Sequence, residues 1–214
     1  MKIDSQITKL FLLVAISAGI VFNASAQKNT RKGRNISLGI SKTDDSKLKT
    51  NYFNIGLISN YQFLKGASIN VISDVAQLNS KGLQLSGFVN ITGSKSYGLQ
   101  MAGLANVTRY KAYGLRIGGL MNISGHYSSG VQISGLGNIS GKSHEGLMVT
   151  GLINMSSQEA SGVQIAGLSN ISGNKQKGVS IAGLTNVSGG DVKGMQITSL
   201  LNIAGKSNYG VQLS

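Results

Sequence analysis

Gly130-Val-Gln-Ile-Ser-Gly-Leu-Gly-Asn-Ile-Ser140 and Gly162-Val-Gln-Ile-Ala-Gly-Leu-Ser-Asn-Ile-Ser172 are nearly the same eleven residues, and Gly146-Leu-Met-Val-Thr-Gly-Leu-Ile-Asn-Met-Ser156 lies midway between them. The spacing is sixteen, and it extends in both directions. Gly82, Gly98, Gly114, Gly130, Gly146, Gly162, Gly178, Gly194 and Gly210 keep it without a slip. So do Asn90, Asn106, Asn122, Asn138, Asn154, Asn170, Asn186 and Asn202. A second glycine recurs at 87, 103, 119, 135, 151, 167 and 183 and becomes Ser199, always followed by Leu or, once, Phe88. A fixed period of this length is the mark of a repeat architecture.

Within each unit apolar and polar residues alternate, as in Val131 and Ile133 against Gln132 and Ser134. Period two is strand patterning, and β-branched residues dominate the apolar sites while Gly, Ser, Asn and Lys fill the connections. The fold class is therefore all-β. Two architectures fit. In a β-solenoid each unit is one coil with two short strands, the middle glycine makes a corner, and the asparagines stack as an internal ladder. A single unit has too few apolar side chains to offset the ordering of sixteen residues, so neighbouring coils must cover its apolar sites and complete its hydrogen bonds. The alternative is a transmembrane β-barrel or meander with one strand per unit, since a spanning strand needs about 9–11 residues. Leu83, Leu85, Gly87, Val89 and Ile91 would then face lipid, and Gly82, Gln84, Ser86, Phe88, Asn90 and Thr92 the lumen. Equal connection lengths, 6% aromatic content and the variable site after the repeat leucine favour the solenoid.

Composition agrees with a repeat architecture, and the N-terminus indicates export. The 214 residues include 30 Gly but no Cys, Pro or Trp, which excludes disulfides, thiolate metal sites and cysteine nucleophiles. Residues 1–26 read as a secretory signal: Lys2 and Lys9, an apolar run from Leu10 to Phe22, and the small-residue site Ala24-Ser25-Ala26. Residues 27–48 read as a polar, basic leader containing Asp44-Asp45, residues 49–81 as degenerate repeats forming an N-terminal cap, and residues 82–214 as eight repeats plus a partial ninth. Upstream of the repeats Gly66 stays in phase, Asp74-Val75 replaces Asn-Φ (Φ, apolar), and Asn54 to Asn60 is an off-register echo. The net charge is +13, and removal of Lys2, Lys9 and Asp4 with the signal leaves 18 basic and 6 acidic residues, or +12.

The two quoted units resemble the GVQ-x-x-GL-x-N surface-repeat proteins of Bacteroidetes and spirochaetes. The resemblance covers 82–214 well and 51–81 loosely, and implies the cell surface, outer membrane or periplasm of a Gram-negative bacterium, with no assigned activity. Members commonly run on past the repeats into a further β segment, so the resemblance leaves two alternatives at the C-terminus: a fragment of a longer chain, or an exposed last coil available for self-association.

No catalytic, cofactor or metal site is expected. Gly141-Lys-Ser143 and Gly205-Lys-Ser207 echo a phosphate loop, but Leu136 and Leu200 stand where its first glycine belongs. His126 and His144 occupy non-equivalent connections without a carboxylate cluster. The Asn-x-Ser/Thr sequons coincide with the repeat asparagines, for which stacking is the better reading because Asn202 keeps its place where Ala204 breaks the sequon. Gln84, Gln100, Gln132, Gln164, Gln196 and Gln212 fill the third position as a polar ladder, replaced by Arg116, Met148 and Ser180. Basic residues instead occupy the connections: Lys81, Lys95, Arg109, Lys111, Lys142, Lys175, Lys177, Lys193 and Lys206. Stacked along one edge, Lys142, Lys175, Lys177, Lys193 and Lys206 make a candidate site for an anionic envelope polymer, glycan or lipopolysaccharide, or for the outer membrane itself. Nucleic acid is disfavoured by export and by the lack of aromatic interleaving within the strands. The function expected is that of an exported scaffold or adhesin-like binding module without catalysis, the alternative being a small outer-membrane barrel.

Overall fold

The structure is a computed structural model that describes residues 33–38 and 49–214. The signal reading of residues 1–26 lies outside the described residues. From the stretch read as a leader, only the strand β1, Gly33–Leu38, is described, and it pairs in parallel with the start of β2, Lys49–Ser86. From Val89 to Ser188 every unit is built alike: a four-residue strand, a two-residue corner, an eight-residue strand and a second corner; in the last two coils the long strands shorten to six residues, Val192–Ile197 and Asn208–Leu213. Ala105–Thr108 and Lys111–Gly118 are typical.

Every strand pairing among the described residues is parallel, and through the repeats residue i meets residue i+16. That register is a β-solenoid with one coil per unit. The barrel alternative, which needs antiparallel neighbours around a closed sheet, is not what these strands build. Eight units at about 4.8 Å per coil make a rod of about 40 Å.

The leading glycine lies inside the longer strand rather than at its start. Gly98 has φ +111°, and a Cβ there would sit 2.3 Å from the carbonyl oxygen of Gly82 in the coil before. Left-handed φ and close backbone approach both demand glycine. The long strand thereby becomes two walls, Lys95–Tyr97 before the glycine and Leu99–Ala102 after it, and the short strand is the third. Side chains meet across the interior they enclose. Ser96 and Thr108 share a hydrogen bond of 3.1 Å, and Gln100 donates to Thr92 over 3.1 Å. The corner glycine, by contrast, has no positive φ; Ser199 replaces it at one coil, with its amide still reaching the Gly183 carbonyl at 3.3 Å.

The polarity of the coil differs from the usual β-repeat core. The side chains pointing inward are mostly Asn, Gln, Ser, Thr and Ala, whereas Leu99, Met101 and their stacked equivalents point outward. Sequence alternation sorted the two faces correctly, but the apolar set forms the outside. Its columns are covered only by the coils above and below, and many remain about two-fifths exposed, as at Met101 (38%) and Ile133 (39%). On the short-strand wall Val75, Ile91 and Val107 are buried and pack together with Val89 and Ala105.

A polar interior holds only if its groups are paired. Asparagine does this. Asn106 donates one N–H to the Asn122 amide oxygen (2.8 Å) and the other to the Ile117 carbonyl (2.8 Å), tying the short strand to its own column and to the post-glycine wall of the next coil. The same amide-to-amide bond, 2.8–3.0 Å, runs unbroken from Asn90 to Asn202. Gln100 to Gln84 and Gln212 to Gln196, each 2.7 Å, are rungs of a second ladder. Asn54, the off-register echo, makes a separate rung with Asn70 at 3.0 Å.

Candidate binding edge

Ionisable residues are partitioned by position in the coil. The ten residues that follow each leading glycine, from 67–76 through 195–204, contain only Asp74 and Arg116, and both are buried. All other charges from Gln77 onward sit on the pre-glycine wall or its corners. Stacking in register then turns scattered lysines into columns. Lys81, Tyr97 and Tyr113 occupy one column, which continues through Ser129, Glu145 and Ser161 to Lys177, Lys193 and Tyr209.

The edge is not a uniform positive stripe. Glu145 and Glu159 divide it into two basic clusters, since they fall in the columns of Lys177 and Lys175, and Asp191 adds one acid within the second. The first cluster holds Lys81, Lys95, Arg109 and Lys111 among tyrosines. The Tyr97 and Tyr113 rings stack at 4.9 Å with planes 5° apart, Tyr127 packs on Tyr113 at 5.7 Å, and the Lys81 ammonium lies 5.4 Å from the Tyr97 ring centre. The second holds Lys175, Lys177, Lys193 and Lys206, with Lys193 over the Tyr209 ring at 5.5 Å. Lys142 stands apart, in the same corner column as Lys206 but four coils earlier. Lys175 also lies 4.0 Å from Glu159, an exposed pair of little energetic weight.

The expectation of no aromatic interleaving within the strands missed this tyrosine row. Its trace in the sequence is the sixteen-residue interval between Tyr97 and Tyr113; Tyr127 belongs to the neighbouring column and joins only through side-chain reach. Because the Tyr97 and Tyr113 faces cover one another, they present hydroxyls and ring edges rather than open faces. Such a surface suits sulfate, phosphate or carboxylate groups better than stacked bases or sugars. The Tyr127 hydroxyl is already used, donating to the Glu145 carboxylate at 2.6 Å, which raises its pKa.

The remaining residues singled out by sequence lie elsewhere. The sequon asparagines from Asn90 to Asn186 are buried in the interior ladder. His144 is buried too, sharing a 2.8 Å hydrogen bond with Ser128, and burial first, with Arg116 second, lowers its pKa to about 3. Arg116 occupies the glutamine column: it donates to the Ile123 carbonyl at 3.1 Å, burial lowers its pKa to about 9, and its Nε and second amino group have no partner. His126 packs against the Tyr110 ring at 4.4 Å. Among the described residues no three His, Asp or Glu side chains converge as a metal site requires. No described helix is long and apolar enough to cross a membrane.

Compared with known proteins, the chain matches no family model, no curated protein and no solved structure, so its resemblance to surface-repeat proteins stands on the repeat motif alone.

Proposed function

We propose that this chain is an exported, non-catalytic scaffold of a bacterial cell surface or outer membrane, and that its lysine-bearing edge binds anionic envelope polymers such as acidic glycan or lipopolysaccharide. One observation carries the reading. A rigid stack of coils collects the charged groups of the repeats on one edge, and two clusters there are basic. The signal-like residues 1–26 and the net charge of +13 agree with it. Lysines held at the coil spacing along a hydrogen-bonded rod lose little conformational freedom beyond their own side chains when a repeating polyanion docks. Each contact is weak and screened by salt, so affinity comes from their number.

The test is retention on an immobilised sulfated or phosphorylated polysaccharide under a salt gradient. Replacing Lys142, Lys175, Lys177 and Lys206 with Gln should shift elution to clearly lower salt. Replacing Lys81, Lys95, Arg109 and Lys111 should do the same through the first cluster. Unchanged retention in both variants would remove the polyanion from the reading.

A further inference from the structure

The outward apolar columns form one continuous surface. The post-glycine wall is four residues wide, about 13 Å at strand rise, and about 40 Å long, so it covers roughly 500 Å² before its border is counted. That border is the corner leucine column, where Leu120 is 43% exposed and Leu136 44%. The wall alone stands in the upper part of the range for the largest apolar patch of an ordinary monomer, about 300–600 Å², and the leucine column extends it; such a patch marks an interaction site.

Three properties narrow what covers it. No charged side chain points out of it, since Asp74 and Arg116 are turned inward and buried. Most of its backbone is paired from coil to coil, at the corner too, where the Leu120 amide donates to the Leu104 carbonyl and the Leu136 amide to the Leu120 carbonyl, each at 2.8 Å. Hydrocarbon tolerates only backbone paired in this way. Lastly, lysines and tyrosines border the apolar surface instead of being scattered over it, which is the arrangement of residues that anchor a protein at a bilayer interface. A polar inside with an apolar outside is the polarity of a protein in lipid.

We propose that the post-glycine wall and the leucine corner lie in the acyl boundary of an anionic lipid bilayer, with the rod flat on the membrane and its lysine–tyrosine edge turned to the headgroups. A second copy of the chain would also cover the leucines. It leaves unexplained the basic, tyrosine-rich border, whose charge complements anionic headgroups and repels an identical border. The inference does not depend on polymer binding, because it rests on the apolar wall, whereas the polymer reading rests on the charges of the edge beside it.

The chain has no cysteine, so one label reads one place. Leu136→Cys on the leucine corner and Ser129→Cys on the tyrosine edge, each in the full chain, would carry an environment-sensitive fluorophore. Vesicles of phosphatidylcholine with phosphatidylglycerol should shift the Leu136→Cys label to the blue. Quenchers on the acyl chains should remove most of its emission while leaving the Ser129→Cys label largely unquenched. Local depth at residue 136 is read whatever any other segment does. A Leu136→Cys label that stays in water with vesicles in excess overturns the proposal. So does one that is already dry without lipid in a particle of twice the chain mass, which would assign the surface to a second copy. Replacing Leu120, Leu136 and Leu152 with Gln, at side chains the fold does not bury, should keep the β circular dichroism and weaken vesicle partition about tenfold or more. Undiminished partition of a folded variant would overturn it equally. Lysine variants that abolish polymer retention but leave the Leu136→Cys signal intact would separate this surface from the basic edge.

Discussion

Asp74→Asn should stabilise this protein, and only above mildly acidic pH. Asp74 occupies the asparagine column one coil before Asn90, in register with it. Every later rung of the ladder donates an amide N–H to the amide oxygen of the next coil. Asp74 has no N–H to give, and its Oδ2 and the Asn90 Oδ1 are both buried without a partner. The Tyr61 hydroxyl donates to the other carboxylate oxygen. Among the described residues no cation faces the group: Ser68, Asn70 and Gln84 surround it, and the Tyr61 hydroxyl has its own pKa raised by burial. Burial therefore raises the Asp74 pKa from 3.8 to about 6. A carboxyl whose pKa rises on folding binds its proton more tightly when folded. Below pH 3.8 it costs nothing, and the penalty grows to completion above about pH 6. A rise of about two units is worth about 3 kcal/mol. Asparagine supplies the missing donor permanently, so the variant should gain up to about 3 kcal/mol at pH 8 and nothing at pH 3. For a chain of this size that is about 6–12 °C in Tm. Thermal melts of both proteins from pH 3 to 8, with hydrogen exchange at the amides of residues 73–92, measure it. A wild-type stability that does not fall between pH 4 and 7, or an Asp74→Asn variant no more stable at pH 8, would refute the argument.

Two further predictions follow from the interior and the corners. Arg116→Gln replaces an under-partnered buried cation with the side chain its neighbours Gln100 and Gln132 already carry, and should raise stability by about 1–3 kcal/mol in a denaturant titration. Gly130→Ala meets both φ +107° and a contact of 2.4 Å with the Gly114 carbonyl oxygen, whereas Gly135→Ser meets crowding alone at a position where Ser199 is already accommodated. The first should cost clearly more in Tm than the second, and equal losses would mean that the positive φ is not what selects the leading glycine.

Much of this was legible in the chain. The sixteen-residue period, the strand alternation and the corner glycine all come from local chemistry repeated in place, and in a solenoid the sequence neighbour one unit away is also the spatial neighbour. The asparagine ladder was readable for the same reason. Only the three-dimensional stack decided which alternating face turns inward. Alternation is symmetric between the faces, and the outcome depends on whether Asn, Gln, Ser and Thr can pair with one another across a narrow interior, as Asn106 does with Asn122 and Ile117. The stack also decided that Glu145 and Glu159 split the basic edge, that Tyr97 and Tyr113 become a stacked pair, and that Asp74 and Arg116 are buried. Each of these turns on which side chains lie one coil apart and which way they point, a property of register and packing that no single repeat contains.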